Sequence, residues 1–237
     1  MHAPPMNTMT NKMKTGWWSF ALPYYRPHIQ KATYSLFPYE DLPAVGENPD
    51  ADFEWLKSQP VKEHSLFDGS YPDGSQPDLS KLAGIASRSG IHLPEPFITF
   101  INSPELHRRI RSCTDCYLDT ADYAVETQGS IAGYLVHFLS DSQWVGHWYL
   151  HIDRQGRHFV ATSLNAYGFS LVDDDEHPAA KTIDLQEEEI WFCAPSFTEF
   201  LYRFWLENEI WFALARDKRR LTPEEQAYVN GYRSGAK

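Results

Sequence analysis

Two apolar runs separated by four polar residues constrain the fold of this chain more than any other feature of its sequence. Residues 131–139 (IAGYLVHFL) and 144–152 (WVGHWYLHI) are dense in β-branched and aromatic side chains, which suit a pleated, half-buried surface. Only Ser140-Asp141-Ser142-Gln143 lies between them. A link that short joins antiparallel neighbours, because a parallel crossover needs a dozen or more residues. Asp153-Arg154-Gln155-Gly156 makes a second such turn before the run 158–162, so a central meander is expected. Alternation puts Trp144, Trp148, Leu150 and Ile152 on one face and Val145, His147, Tyr149 and His151 on the other. Large groups on both faces predict a sheet covered at least partly on each side.

Helical signals flank this block. Ser80 is placed to cap a helix carrying Leu82, Ile85 and Ala86, which Gly90 stops. Phe97, Phe100 and Ile101 fall at i, i+3, i+4, and Pro94 and Pro96 sit where a helix has no internal donor to lose. Ser196 with Glu199 is a capping box, followed by Phe197, Phe200, Leu201, Phe204 and Trp205 at helical spacing. Trp211 and Phe212 continue that run, while Glu207, Asn208 and Glu209 read as its wetter flank. Thr222-Pro223-Glu224-Glu225 is a second box opening a last short helix. The sum is an α+β domain over residues 78–237, its antiparallel or mixed β-sheet packed against several α-helices.

Residues 1–77 differ in texture. Prolines recur at 4, 5, 23, 27, 38, 43, 49, 60, 72 and 77, and each removes a backbone donor and fixes φ, so helices cannot run far. Trp17, Trp18, Tyr24, Tyr25, Tyr34, Phe37 and Tyr39 would be unfavourable in water. The segment therefore reads as an irregular arm wrapped on the core.

With 237 residues, 42% of them hydrophobic and 15% aromatic, the chain has ample material for a core. Its formal net charge of −11 disfavours nucleic acid as a ligand, because duplex binding rests on displacing counterions with cations. The same balance argues against a polybasic membrane attachment. No stretch approaches the ~20 apolar residues of a membrane span, and the short run 17–22, ended by Pro23, is no signal peptide. Three cysteines make no closed disulfide framework, so a reducing, cytoplasmic setting is expected.

No motif compels an active site. Cys113-Thr114-Asp115-Cys116 is a CxxC pair, but zinc requires four ligands and Cys193 stands alone. His147 and His151 lie four apart, which in a strand is about 13 Å, too far for one metal. The acidic runs Asp173-Asp174-Asp175-Glu176 and Glu187-Glu188-Glu189 lack the spacing of a calcium loop. Phosphate loops, nucleophile elbows and HExxH are missing. No catalytic, cofactor-binding or metal-ligating residue is assigned.

The order of segments resembles the SUKH superfamily, the Smi/Knr-like proteins. Leu93-Pro94-Glu95-Pro96-Phe97 with Phe100-Ile101 is similar to that family's LP-x-x-(F/Y)-x-x-F(L/M) opening helix. The runs 133–139 and 148–150 resemble its central strands, and Ser196-Phe197 with Phe200-Leu201, then residues 204–209, its closing F-x-x-FL helix. The likeness covers about residues 78 to 232. It implies an α+β fold, no catalysis, and in bacteria an immunity role in which the protein binds and neutralises a toxin, often a nuclease. Fungal relatives imply the alternative of a signalling scaffold without a toxin. A thiol-dependent enzyme built on Cys113 and Cys116 is the reading from another class.

The expected partner is another protein, a basic toxin domain under the first reading, which a −11 chain would attract by electrostatic steering. The expected contact surface is the open face of the meander with its flanking acidic loop: His137, His147, Tyr149, His151, Asp173, Asp174, Asp175 and Glu176. The competing expectation is that the N-terminal arm covers Tyr149 and the histidines.

Overall fold

The computed structural model describes residues 13–18, 36–45, 52–63, 65–66, 79–169, 182–184 and 189–234. The meander forms as expected. Strands β5 (Gly133–Ser140), β6 (His147–Asp153) and β7 (His158–Ser163) pair antiparallel in sequence order. On one side β5 is flanked by β3 (Tyr117–Leu118) at its far end and by β4 (Val125–Gln128) at its start. Strand β8 (Thr182–Asp184) joins β4 in parallel, and β9 (Ile190–Ala194) closes the other side against β7. The fold is α+β with a mixed sheet of seven strands.

The helices lie where the capping signals put their ends. Helix α1 (Glu54–Lys57) is a single turn, and α2 (Leu79–Ser89) ends at Gly90, whose φ is +63°. Gly90 N–H donates to Ser87 O and Ile91 N–H to Ala86 O, the paired bonds of a left-handed C-terminal cap. Ser80 lies inside α2, as its second residue, and not before it. Helices α3 (Glu95–Ile101) and α4 (Pro104–His107) follow, then α5 (Phe197–Ala215) and α6 (Pro223–Ser234). Ser196 Oγ accepts from Glu199 N–H at 3.1 Å. The Thr222–Glu225 box is reciprocal, with bonds of 3.2 and 2.7 Å.

The two sheet faces bury separate cores. On one, Phe138, Trp148, Leu150 and Val160 meet Phe197, Phe200, Leu201 and Phe204 of α5. Phe138 stands edge-on to Phe197 and Phe200, with ring centroids 5.5 Å apart in each pair, a favoured aromatic geometry. On the other, Leu135, Tyr149 and Phe159 pack with Met13, Tyr167, Ile183 and Phe192.

Glu207, Asn208 and Glu209 overturn one expectation: all three are buried. Glu207 accepts from Trp17 Nε1 at 2.8 Å, Tyr228 OH at 2.8 Å and Tyr232 OH at 2.5 Å. Glu209 receives two bonds from Arg111 (2.8 and 3.0 Å) and one from Lys62 at 2.8 Å. Asn208 Oδ1 accepts from the Cys113 N–H at 2.7 Å. A buried polar group needs such partners. Apart from Tyr228 and Tyr232, 21 and 25 residues on, they come from segments about 95 to 190 residues away, so periodicity along α5 carries no trace of them.

The described residues between 13 and 66 lie on this core. Lys14 O accepts from Phe192 N–H, and Gly16 N–H donates to Phe192 O, both at 2.9 Å. This adds a parallel rung to β9 and covers an edge that would otherwise be open to other chains. Immediately beyond, β1 (Trp17–Trp18) pairs with β2 (Leu36–Phe37). Gly16 sits at a close approach: a Cβ there would lie 2.7 Å from the Leu36 Cδ2 methyl and 3.0 Å from Trp191 Cβ. Among the described residues no helix is long and apolar enough to cross a membrane.

Candidate functional site

The link between β5 and β6 is longer than its sequence implies, and the reason is one carboxylate. Asp141, fully buried, takes the N–H groups of Val145 (2.8 Å) and Gly146 (2.7 Å) on Oδ1 and that of Gln143 (3.2 Å) on Oδ2. These bonds compete with the strand ladder for the backbone donors. They pull residues 141–146 out of the sheet, so β6 begins at His147 and not Trp144. Trp144 then adopts φ +61°, a left-handed conformation disfavoured by roughly 1–3 kcal/mol for a bulky residue. Its N–H donates to Asp141 O at 3.0 Å.

Trp144 is thereby lifted to the surface but fixed there. Its Nε1 donates to Tyr117 OH at 2.6 Å, and its ring contacts Phe169 at 5.1 Å and His147 edge-on at 5.4 Å. Trp144, Val145 and Leu164 are 44%, 36% and 41% exposed. Ser163 pairs with His147 across β6 and β7, so Leu164 and Val145 emerge at the same end of the sheet. Asp115, exposed and also left-handed (φ +50°), adjoins them, since Ser142 Oγ donates to Thr114 O at 3.0 Å. The end of the sheet thus presents a fixed indole with Val145 and Leu164 exposed at the same end, and Asp115 on the neighbouring segment.

The histidines and tyrosine expected on an open face are inside. His137, His147, Tyr149 and His151 are all buried, which corrects the surface assigned to them from sequence. Their face of the sheet is covered by the segment after β7, with Met13 and Tyr39 of the arm packed in the same cluster as Tyr149: Tyr149 OH donates to Asn165 O at 2.8 Å and accepts from Tyr167 N–H at 2.9 Å, and Phe169 meets His137 edge-on at 4.9 Å. Three of the four come together. His137 lies 5.6 Å from His147 and 5.2 Å from Tyr149, ring to ring. His151 stands apart, stacked on Phe159 at 4.5 Å with Nε2 on Ile131 O at 3.2 Å. Asp173, Asp174, Asp175 and Glu176 fall outside the described residues. Burial holds all three imidazoles below their ordinary range, His151 at about 4.

Ser140, which sequence reading left in the turn, links the pair. Its Oγ lies 3.0 Å from His137 Nε2 and 2.9 Å from His147 Nδ1. A serine against two imidazoles has the makings of a nucleophile and base, yet Ser140 is completely buried. The signals that could have found the site were Asp141, the first residue after a strand and a residue type that captures backbone donors, and a Trp opening the second apolar run directly after the polar turn.

The thiols are withdrawn in the same way. Cys116 is buried and pushed up to about 12, and burial pushes Cys113 higher still. A reactive cysteine has the opposite signature, exposure and a stabilised thiolate. Among the described residues, no group of three or more His, Cys, Asp or Glu is arranged to hold a metal ion. A cleft of about 260 Å³ lies between residues 39–45 and α5. The Arg203 guanidinium on its wall is already engaged by Pro43 O, Tyr228 OH and Glu199 at 2.8–3.0 Å. Comparison with protein-family models, curated proteins and solved structures finds no match to this chain.

Proposed function

We propose that the chain is a non-catalytic protein-binding module, and that, following its resemblance to the SUKH superfamily, it acts as an immunity protein on a basic toxin domain. The observation that carries the binding role is Trp144. A large aromatic is kept exposed and immobile at an unfavourable φ by four separate contacts, where Gly would satisfy the backbone alone. Rigid aromatic anchors in an apolar ring are what interfaces place at their energetic centre. A net charge of −11 overall, with Asp115 exposed nearby, favours a cationic partner and speeds encounter. A catalytic reading loses support because Ser140 and Cys116 are sealed from substrate.

The test is binding and growth rescue with the toxin domain encoded beside this chain, at pH 7.5. Trp144→Ala should weaken binding by about 30-fold or more, the ~2 kcal/mol of an anchor residue. Changing Asp173, Asp174 and Asp175 to Lys should slow association more than it speeds dissociation. Wild-type affinity in Trp144→Ala moves the interface elsewhere, and wild-type protein that neither binds nor protects discards the toxin partner.

A further inference from the structure

The hydrogen bonds beneath Trp144 have a direction that can be deduced. Trp144 O can only accept, so His147 Nε2, 3.2 Å away, is the donor. A neutral imidazole carries one N–H, so His147 Nδ1 is an acceptor and the Ser140 hydroxyl donates to it. Ser140 Oγ is then left to accept, and His137 Nε2 must be the donor. His137 Nδ1 is consequently bare, and it is buried with no hydrogen-bond partner. An orphaned ring nitrogen in a dry site is unfavourable and calls for a reason.

We propose that His137, Ser140 and His147 form a reversible proton relay that places a positive charge under Trp144 when the pair takes up one proton. In the charged state His147 holds protons on both nitrogens, with Nδ1–H donating to Ser140. The Ser140 proton passes to His147 Nδ1 as the His137 Nε2 proton passes to Ser140 Oγ, so the hydroxyl now donates to His137 Nε2, and the proton from solvent enters at the bare His137 Nδ1. One proton comes from solvent, one charge appears on His147, and none of the three bonds is lost. The bond from His147 Nε2 to Trp144 O becomes charge-assisted and stronger.

The charge settles on His147 and not on His137 for reasons of surroundings. Asp141, in the turn above, favours a cation on His147. Lys81 of α2 opposes one on His137, which is the more deeply buried of the two. The other titratable groups near the site are Asp119 and Tyr117, whose side chains lie toward Ser140, and Tyr149 and Tyr167 on the covered face. This inference rests on the docking role of Trp144: a cation 5.4 Å behind the indole turns the anchor against a basic partner, so binding weakens as the pair protonates.

The experiment is made on the free wild-type protein. Long-range ¹⁵N–¹H spectra should show both His137 and His147 as Nε2–H tautomers at pH 7.5. On acidification a single proton should enter, with His137 changing tautomer as His147 charges. The Trp144 indole N–H, assigned by its loss in Trp144→Phe, should shift with the same apparent pKa, below the ordinary histidine value. Ser140→Ala should separate the two histidine titrations. An Nδ1–H tautomer on His137 at pH 7.5 overturns the relay, as does a Trp144 signal that ignores the titration, or a pair that stays neutral until the protein unfolds. A normal titration without partner binding rejects the docking role alone, and binding without the coupled titration rejects the relay alone.

Discussion

Asp141 and Trp144 divide one task between them, the first supplying the geometry that the second uses. Asp141→Ala would leave three backbone N–H groups without an acceptor, one of them, that of Gly146, in a site closed to water. A loss of about 2–4 kcal/mol is expected in urea unfolding. A loss under about 0.5 kcal/mol would mean that the turn holds itself. Trp144→Gly should behave oppositely, because Gly adopts φ +61° without strain. Stability within about 1 kcal/mol of wild type, with binding abolished, is the expected pair of results. Little of this was legible in the sequence. Asp141 is visible as a turn residue, but an Asp that caps its own N–H donors and one that merely ends a strand are the same letter. The four residues between the two runs suggested a tight hairpin, but Ser140 belongs to β5, and Trp144, Val145 and Gly146 were drawn into the loop by bonds that composition does not encode.

At the scale of elements, α5 separates what periodicity can find from what it cannot. Its apolar stripe was readable, and Phe197, Phe200, Leu201, Phe204 and Trp205 are all buried. Phe204→Ala should lose about 3–5 kcal/mol, as for other buried aromatics, measured as a shift in denaturant midpoint at constant slope. The opposite flank of the helix is buried too, because the arm, the segment around residues 111–113 and α6 supply a cover with matching donors. Trp17 Nε1 bonding to Glu207 at 2.8 Å is one such match. Trp17→Phe keeps most of the packing but removes that donor from a buried carboxylate. A destabilisation of about 1.5–3 kcal/mol is expected, and a neutral result would place the holding power of the arm in its apolar contacts. The element pattern reads a flank as solvated whenever it is polar. It fails where distant segments bring the complementary charges, as Lys62 and Arg111 do for Glu209.

The whole molecule inherits a pH dependence from its buried imidazoles. His107 and His151 are enclosed, and burial holds each at about 4. His107 Nε2 donates to Phe100 O at 2.7 Å against the Phe100 ring, and His151 Nε2 faces Ile131 O. Unfolded, both return to the ordinary value of about 6.5. Above pH 6.5 neither state binds the proton, and these groups add nothing to the pH slope. Between pH 6.5 and 4 the unfolded chain is protonated and the native one is not, so stability falls as pH falls through this window. The depression amounts to about 3 kcal/mol for each residue by pH 4, a large share of the 5–15 kcal/mol typical of a domain. His151→Gln keeps a donor for Ile131 O without a titrating group. Its unfolding free energy, followed by urea titration from pH 7 to 4.5, should decline less steeply than wild type by about 1.4 kcal/mol per pH unit well below 6.5, one proton's worth of linkage. An unchanged slope would show that His151 takes up its proton without leaving the folded state, and the acid sensitivity would then belong to other groups.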